Sequence, residues 1–155
     1  YASDDPVGVA LGGAAKNVYA IACGVVEGMG LGENARAAVL ARSFAELARL
    51  GEALGARPET LMGLSGLGDL VLTATSPSSR NFSFGMQLGQ GAAMADLLAP
   101  GRPLAEGVAT APALVARAKR AQVELPIAEA VADLLDGVPA RQAVLRLMGR
   151  PLTSE

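Results

Sequence analysis

Apolar side chains recur along this chain at helical spacing, and no stretch alternates apolar and polar residues for long enough to read as a strand. From Pro6 to Val26 the residues are almost uniformly small or aliphatic, and Lys16 is the single charge. Asp4 or Asp5 can cap a helix here, with Pro6 near its first position, where a missing N–H costs nothing. A helix apolar all round belongs in a core or a membrane. The length would span a bilayer. However, a lysine at the midpoint costs about 3 kcal/mol in hydrocarbon, and Gly8, Gly12, Gly13 and Gly24 dilute the hydrophobicity. The reading is therefore a buried helix without stable membrane insertion.

The glycine-rich stretch 27–32 closes that helix, and Glu33 or Asn34 opens a second one reaching about Leu54. Val39, Phe44, Leu47, Leu50 and Leu54 form its apolar face. Arg36, Arg42, Glu46, Arg49 and Glu52 supply a wet face, and Gly55 suits the position after the helix end. A short helix starts around Pro58. Residues 61–75 read as one apolar helix, weakened by Gly63, Gly66 and Gly68. Ser78 or Ser79 then caps a helix running to about Leu88, and residues 89–107 read as short helix and loop. Residues 108–121, 127–135 after Pro126, and 139–148 read as three closing helices. The pattern predicts one all-α domain over 1–155.

Composition narrows the chemistry. The 155 residues carry 13 Lys+Arg and 15 Asp+Glu, for a net charge of -2, which argues against a nucleic-acid partner. There is no histidine, so Ser-His-Asp and Cys-His triads and histidine zinc sites are excluded. Cys23 is the only cysteine, so there is no internal disulfide or cysteine metal cluster, and no metal site is expected. Aromatics make up 3%, which favours close-packed helices. No basic segment precedes an apolar run at the N-terminus, so no signal peptide is expected. A cytoplasmic location is the default without a disulfide framework.

Two charges stand alone in apolar surroundings. Lys16 is the only charge between Asp5 and Glu27, and Asp69 the only one between Glu59 and Arg80. An unpaired buried charge is expensive, so each needs a partner or a task. The two can face each other as a structural ion pair, or line a cleft where Lys16 handles a proton or stabilises negative charge on oxygen. Desolvation favours the neutral amine and a neighbouring carboxylate the ammonium, so both protonation states stay open. Residues 73–81 are rich in hydroxyls and hold one guanidinium, Arg80, whose planar fork suits a phosphate at a helix start. Ordinary capping plus a surface arginine is the plainer reading. The glycine clusters at 28–32 and 63–68 have neither dinucleotide-loop nor phosphate-loop spacing; they suit turns and close helix approach. Tyr19 and Cys23 read as core.

These segments together resemble a known family over nearly the whole chain. Val7-Gly8-Val9-Ala10-Leu11-Gly12-Gly13-Ala14-Ala15-Lys16-Asn17, Gly63-Leu64-Ser65-Gly66-Leu67-Gly68-Asp69-Leu70, Thr73-Ala74-Thr75-Ser76, Ser79-Arg80-Asn81 and Ala105-Glu106-Gly107-Val108 look like the C-terminal domain of bacterial NAD(P)-dependent glycerol-3-phosphate dehydrogenase. Pro126-Ile127, Glu129-Ala130-Val131 and Leu147-Met148-Gly149-Arg150 fit as well. The resemblance implies an all-helical fold like the 6-phosphogluconate dehydrogenase C-terminal domain. In the family it follows a Rossmann domain that this chain lacks, so the chain alone is expected to be inactive. The implied reaction interconverts dihydroxyacetone phosphate and sn-glycerol 3-phosphate with NAD(P)H, for phospholipid synthesis.

Carried over by residue, the resemblance makes Lys16 the acid/base lysine. Lys16, Asn17, Asp69, Thr73, Ser79, Arg80 and Asn81 become substrate-binding residues, and Arg80, Leu104 and Glu106 meet the cofactor. Three departures stand out. Ala15 replaces a common Leu, Phe82 and Ser83 stand where basic residues often follow the Arg-Asn pair, and Leu104-Ala105 replaces a more usual Val-Val. A possible homodimer is implied. Competing readings are the C-terminal domain of another two-domain reductase, of 6-phosphogluconate or ketopantoate type, and a noncatalytic helical oligomerisation module suggested by the Ala/Gly-rich first helix.

Overall fold

The computed structural model describes residues 3–148, so Gly149 and Arg150 of the last matched segment lie outside it. Among the described residues there are helices and turns and no strand. The elements are α1 (Pro6–Gly28), α2 (Glu33–Ala53), α3 (Pro58–Met62), a π-helical turn (Leu64–Gly68), α4 (Asp69–Thr75), α5 (Arg80–Gly89), α6 (Met94–Leu97), α7 (Glu106–Arg120), α8 (Pro126–Leu135) and α9 (Ala140–Met148).

The apolar first helix becomes the axis of the fold. Its side chains from Asn17 to Val26 are all buried, and α2, α4, α5, α7 and α8 pack around it. It has the length and hydropathy of a membrane span, but most of that apolar surface is covered by the other helices. Asp5 is the cap: one carboxylate oxygen accepts the Gly8 N–H at 2.8 Å, and the other accepts the Arg57 N–H at 2.8 Å, tying the start of α1 to the start of α3. The closest crossing is α1 on α5. A Cβ added at Gly24 would lie 2.1 Å from the Phe82 carbonyl oxygen, and one at Gly85 would lie 2.1 Å from the Ile21 carbonyl oxygen. Glycine on both helices is what lets the backbones touch.

Three features differ from the sequence reading. First, residues 61–75 are not one helix. Gly63 is extended (φ -83°, ψ -163°), so α3 stops at Met62 and the chain re-enters through the π-helical turn before α4. Second, α7 begins at Glu106 rather than Val108, and α8 at Pro126 itself. Third, Glu46 is not on a wet face. It is 2% exposed, between α1, α2 and α8, and its carboxylate accepts the N–H groups of Ile127 (2.6 Å) and Ala128 (3.3 Å). Leu125, the residue that precedes α8, has no capping side chain, so the helix's orphan donors are met by a residue from another helix. Burial pushes the Glu46 carboxyl up to about 7, against the two N–H bonds and nearby Arg49. Beside it the Tyr19 hydroxyl is fully buried, as is that of Ser43. Burial, and then the Glu46 charge, holds the Tyr19 phenol well above its ordinary range.

Candidate active site

The two isolated charges meet. Lys16 Nζ forms an ion pair with Asp69 Oδ2, linking the first half of α1 to the first residue of α4. The local sequence explains the approach. Gly12 lies one turn before Lys16, and a Cβ there would fall 2.5 Å from the Ser65 carbonyl oxygen. The bare backbone lets the π-helical turn rest against α1, and that turn delivers Asp69 to Lys16. Such insertions re-aim side chains and recur at functional sites. The side chains are 24% and 34% exposed, so the pair is partly desolvated yet open to a small molecule. Thr73 stands one turn after Asp69, and its hydroxyl donates to the Asp69 carbonyl at 2.7 Å rather than to Lys16.

A second cluster adjoins the first through Asn17. Asn17 Nδ2 donates to Glu106 Oε2 (3.3 Å) and to the Gly13 carbonyl (3.4 Å), while its Oδ1 accepts from Asn81 Nδ2 (2.9 Å). Asn81 Oδ1 in turn accepts the Gly107 N–H (2.8 Å), capping α7 from outside, because Ala105 offers no side chain. Both asparagines are buried, at 8% and 6% exposure. Their carboxamides fasten α1, α5 and α7 to one another. Ser79 caps α5 by accepting the Phe82 N–H at 3.3 Å. The next residue, Arg80, reaches Glu106 Oε1 at 3.1 Å, and both side chains of this pair are exposed.

Of the nine residues singled out by sequence, the structure connects Lys16 to Asp69 and Thr73, and Asn17 to Asn81, Glu106 and Arg80. Ser79 is the cap immediately before Arg80. Leu104, in the loop before α7, makes no polar side-chain contact and is 68% exposed. Among the described residues, no group of three or more Cys, Asp or Glu is arranged to hold a metal. The sequence reading missed the Glu46 cluster. Its signal was the start of α8 at Leu125-Pro126 without Ser, Thr, Asp or Asn to cap it.

A partly desolvated Lys–carboxylate pair near an arginine at a helix start, on an all-helical scaffold, is a setting where a proton donor and an anion-binding fork lie close together. A family model described as "NAD-dependent glycerol-3-phosphate dehydrogenase C-terminus" matches residues 5–145, and the chain belongs to that family. Similar curated proteins include the glycerol-3-phosphate dehydrogenases [NAD(P)+] of Novosphingobium aromaticivorans (58% identical) and Rhodospirillum rubrum (59%). Each alignment covers all of this chain and, respectively, 47% and 45% of the relative. The chain thus spans about half the length of the curated relatives it matches. The crystal structure of glycerol-3-phosphate dehydrogenase from Coxiella burnetii superposes with a TM-score of 0.92 at 40% identity, over 97% of this chain and 46% of that one. The Saccharomyces cerevisiae glycerol-3-phosphate dehydrogenase does so with a TM-score of 0.78 at 26% identity, over 90% and 41%.

Proposed function

We propose that this chain is the substrate-side half of a cytoplasmic enzyme that interconverts dihydroxyacetone phosphate and sn-glycerol 3-phosphate with NAD(P)(H). The observation that carries the reading is the Lys16–Asp69 pair, charged, partly desolvated and reachable from solvent. In the reducing direction, the Lys16 ammonium hydrogen-bonds the ketone oxygen and gives it a proton as the carbonyl carbon gains hydride. The product is a secondary alcohol, and the neutral amine recovers its proton from solvent; in reverse Lys16 accepts the proton. Asp69 holds the ammonium in place. A bound reduced nicotinamide supplies the hydride.

Arg80 serves the phosphate. Its partner Glu106 is exposed, and exposed pairs contribute under about 1 kcal/mol, so a phosphate can share or take the guanidinium through a bidentate contact. Ser79 adds a hydroxyl at the start of α5. Asn17 and Asn81 act through the order they impose on α1, α5 and α7. Thr73 supports the Asp69 turn.

The residues fit a limited share of the cofactor. Arg80 and Glu106 present a fork and a carboxylate at the exposed rim, and Leu104 adds apolar contact. Among the described residues no strand leads into a glycine-rich helix start, so the pyrophosphate grip has no place here. The test joins this chain to the N-terminal part of the Novosphingobium relative and follows nicotinamide absorbance with several substrates. Turnover of dihydroxyacetone phosphate well above that of ketopantoate or 6-phosphogluconate is expected. Preference for either of the latter would overturn the assignment.

A further inference from the structure

A cavity of about 390 Å³ opens between α1, α2, α8 and α9. It shares no lining residue with the Lys16 site. Its walls are aliphatic, including Val26, Leu31, Ala38, Val131 and Val144, and its one charged lining residue is Arg42. Arg42 is exposed and has no acidic partner among the described residues. Helix α9 supplies one wall through Ala143, Val144 and Leu147, and an Arg146–Asp133 bond of 3.2 Å joins it to α8. We propose that this cavity binds the alkyl chain of a monomeric long-chain carboxylate, with Arg42 holding the head group at the rim.

Size, lining and charge each narrow the occupant. The volume lies within the range of small-molecule pockets. At about 30 Å³ per water-sized group, it takes a chain of roughly a dozen carbons. An aliphatic wall with no other polar anchor selects hydrocarbon over a sugar or nucleotide, and a lone guanidinium at the rim selects an anionic head. The seven residues 149–155 include one large aliphatic side chain, Leu152, with Arg150 and Glu155 among the rest, and match this lining poorly. A second copy of the chain would have to present a protruding aliphatic segment to a concave slot.

The test is calorimetric titration of the purified chain with saturated carboxylates of eight to sixteen carbons, each below its micelle concentration. Circular dichroism checks the fold of every variant. Affinity should rise about fourfold for each added methylene, the scale of burying one CH₂, and level off near the length that fills the cavity. Alcohols of equal length should bind more weakly, and alkylammonium ions more weakly still. Arg42→Gln should erase the preference for the carboxylate while leaving the chain-length dependence. Ala35→Phe, a filling change at a partly exposed lining position, should abolish binding. Any of these results would overturn the proposal: no saturable binding; equal affinity for anionic and cationic heads; binding only to anionic phospholipid vesicles; or binding that appears only after removal of residues 149–155. Concentration-dependent dimerisation of the ligand-free chain, blocked by Ala35→Phe, would assign the slot to a second copy and equally refute it.

Discussion

The buried carboxylate of Glu46 makes the stability of this domain depend on pH in a calculable direction. Burial pushes the group up to about 7 from an ordinary 4.5. Between those values the folded chain holds the Glu46 proton more tightly than the unfolded chain does. The stabilisation linked to that proton is therefore complete below about pH 4.5 and is lost as pH rises through 7. The displacement corresponds to about 3 kcal/mol at most. Glu46→Gln removes the titration and keeps an oxygen to accept the Ile127 N–H. Its stability relative to the parent chain should rise by up to that amount between pH 5 and pH 8.5, or roughly 6–12 °C in Tm for a domain of this size. Urea or thermal melts of both proteins at half-unit pH steps measure the difference, and other titrating groups cancel because both proteins carry them. A difference flat to within about 0.5 kcal/mol across that range, or one that moves in the parent's favour as pH rises, would refute the reasoning.

Three further outcomes follow from the packing and the site. Gly24→Ala should destabilise the chain by about 1–3 kcal/mol in urea melts, because its Cβ would meet the Phe82 carbonyl at 2.1 Å. Gly13→Ala, on the same helix with nothing within 4 Å, should be neutral or stabilising by up to about 1 kcal/mol; equal losses at both positions would deny the close crossing. Cys23, fully buried with its thiol pushed up to about 12 by burial, should resist a thiol reagent at pH 8 until the chain is unfolded; rapid labelling of the native protein would contradict that placement. In the joined enzyme, Arg80→Lys should lower kcat/KM clearly for dihydroxyacetone phosphate and much less for dihydroxyacetone, since a point charge cannot replace a bidentate contact; equal losses would assign Arg80 to the cofactor or the fold.

Lys16 and Asp69 could be read from the sequence because each is the only charge in a long apolar run. A charge so placed must find a partner, and the nearest opposite charge equally isolated was the one it found. The central helix was legible for the same reason. What could not be read is the device that joins them. The π-helical turn depends on one extra residue per turn, which apolar spacing hides, although Gly63, Gly66 and Gly68 marked residues 61–75 as a poor continuous helix. Glu46 was misplaced because the charges flanking it on α2, Arg42 and Arg49, are exposed, whereas its own partners are backbone N–H groups about 80 residues away. Asn81 behaves alike, since its bond to Gly107 caps a helix that lacks a cap of its own. Missing caps at Ala105 and Leu125 were the local signs that side chains from elsewhere complete those helices. The link from Asn17 through Glu106 to Arg80 is tertiary, and residue spacing does not encode it.

In the proposed reaction Lys16, held by Asp69, carries the proton. The direct measurement is kcat for dihydroxyacetone phosphate reduction by the joined enzyme with Lys16 and with Lys16→Met, alongside nicotinamide binding and circular dichroism of both. We expect kcat to fall by roughly two to four powers of ten, the usual scale of acid–base catalysis, while cofactor affinity and helix content hold. A Lys16→Met enzyme that turns over at a near-normal rate would contradict it.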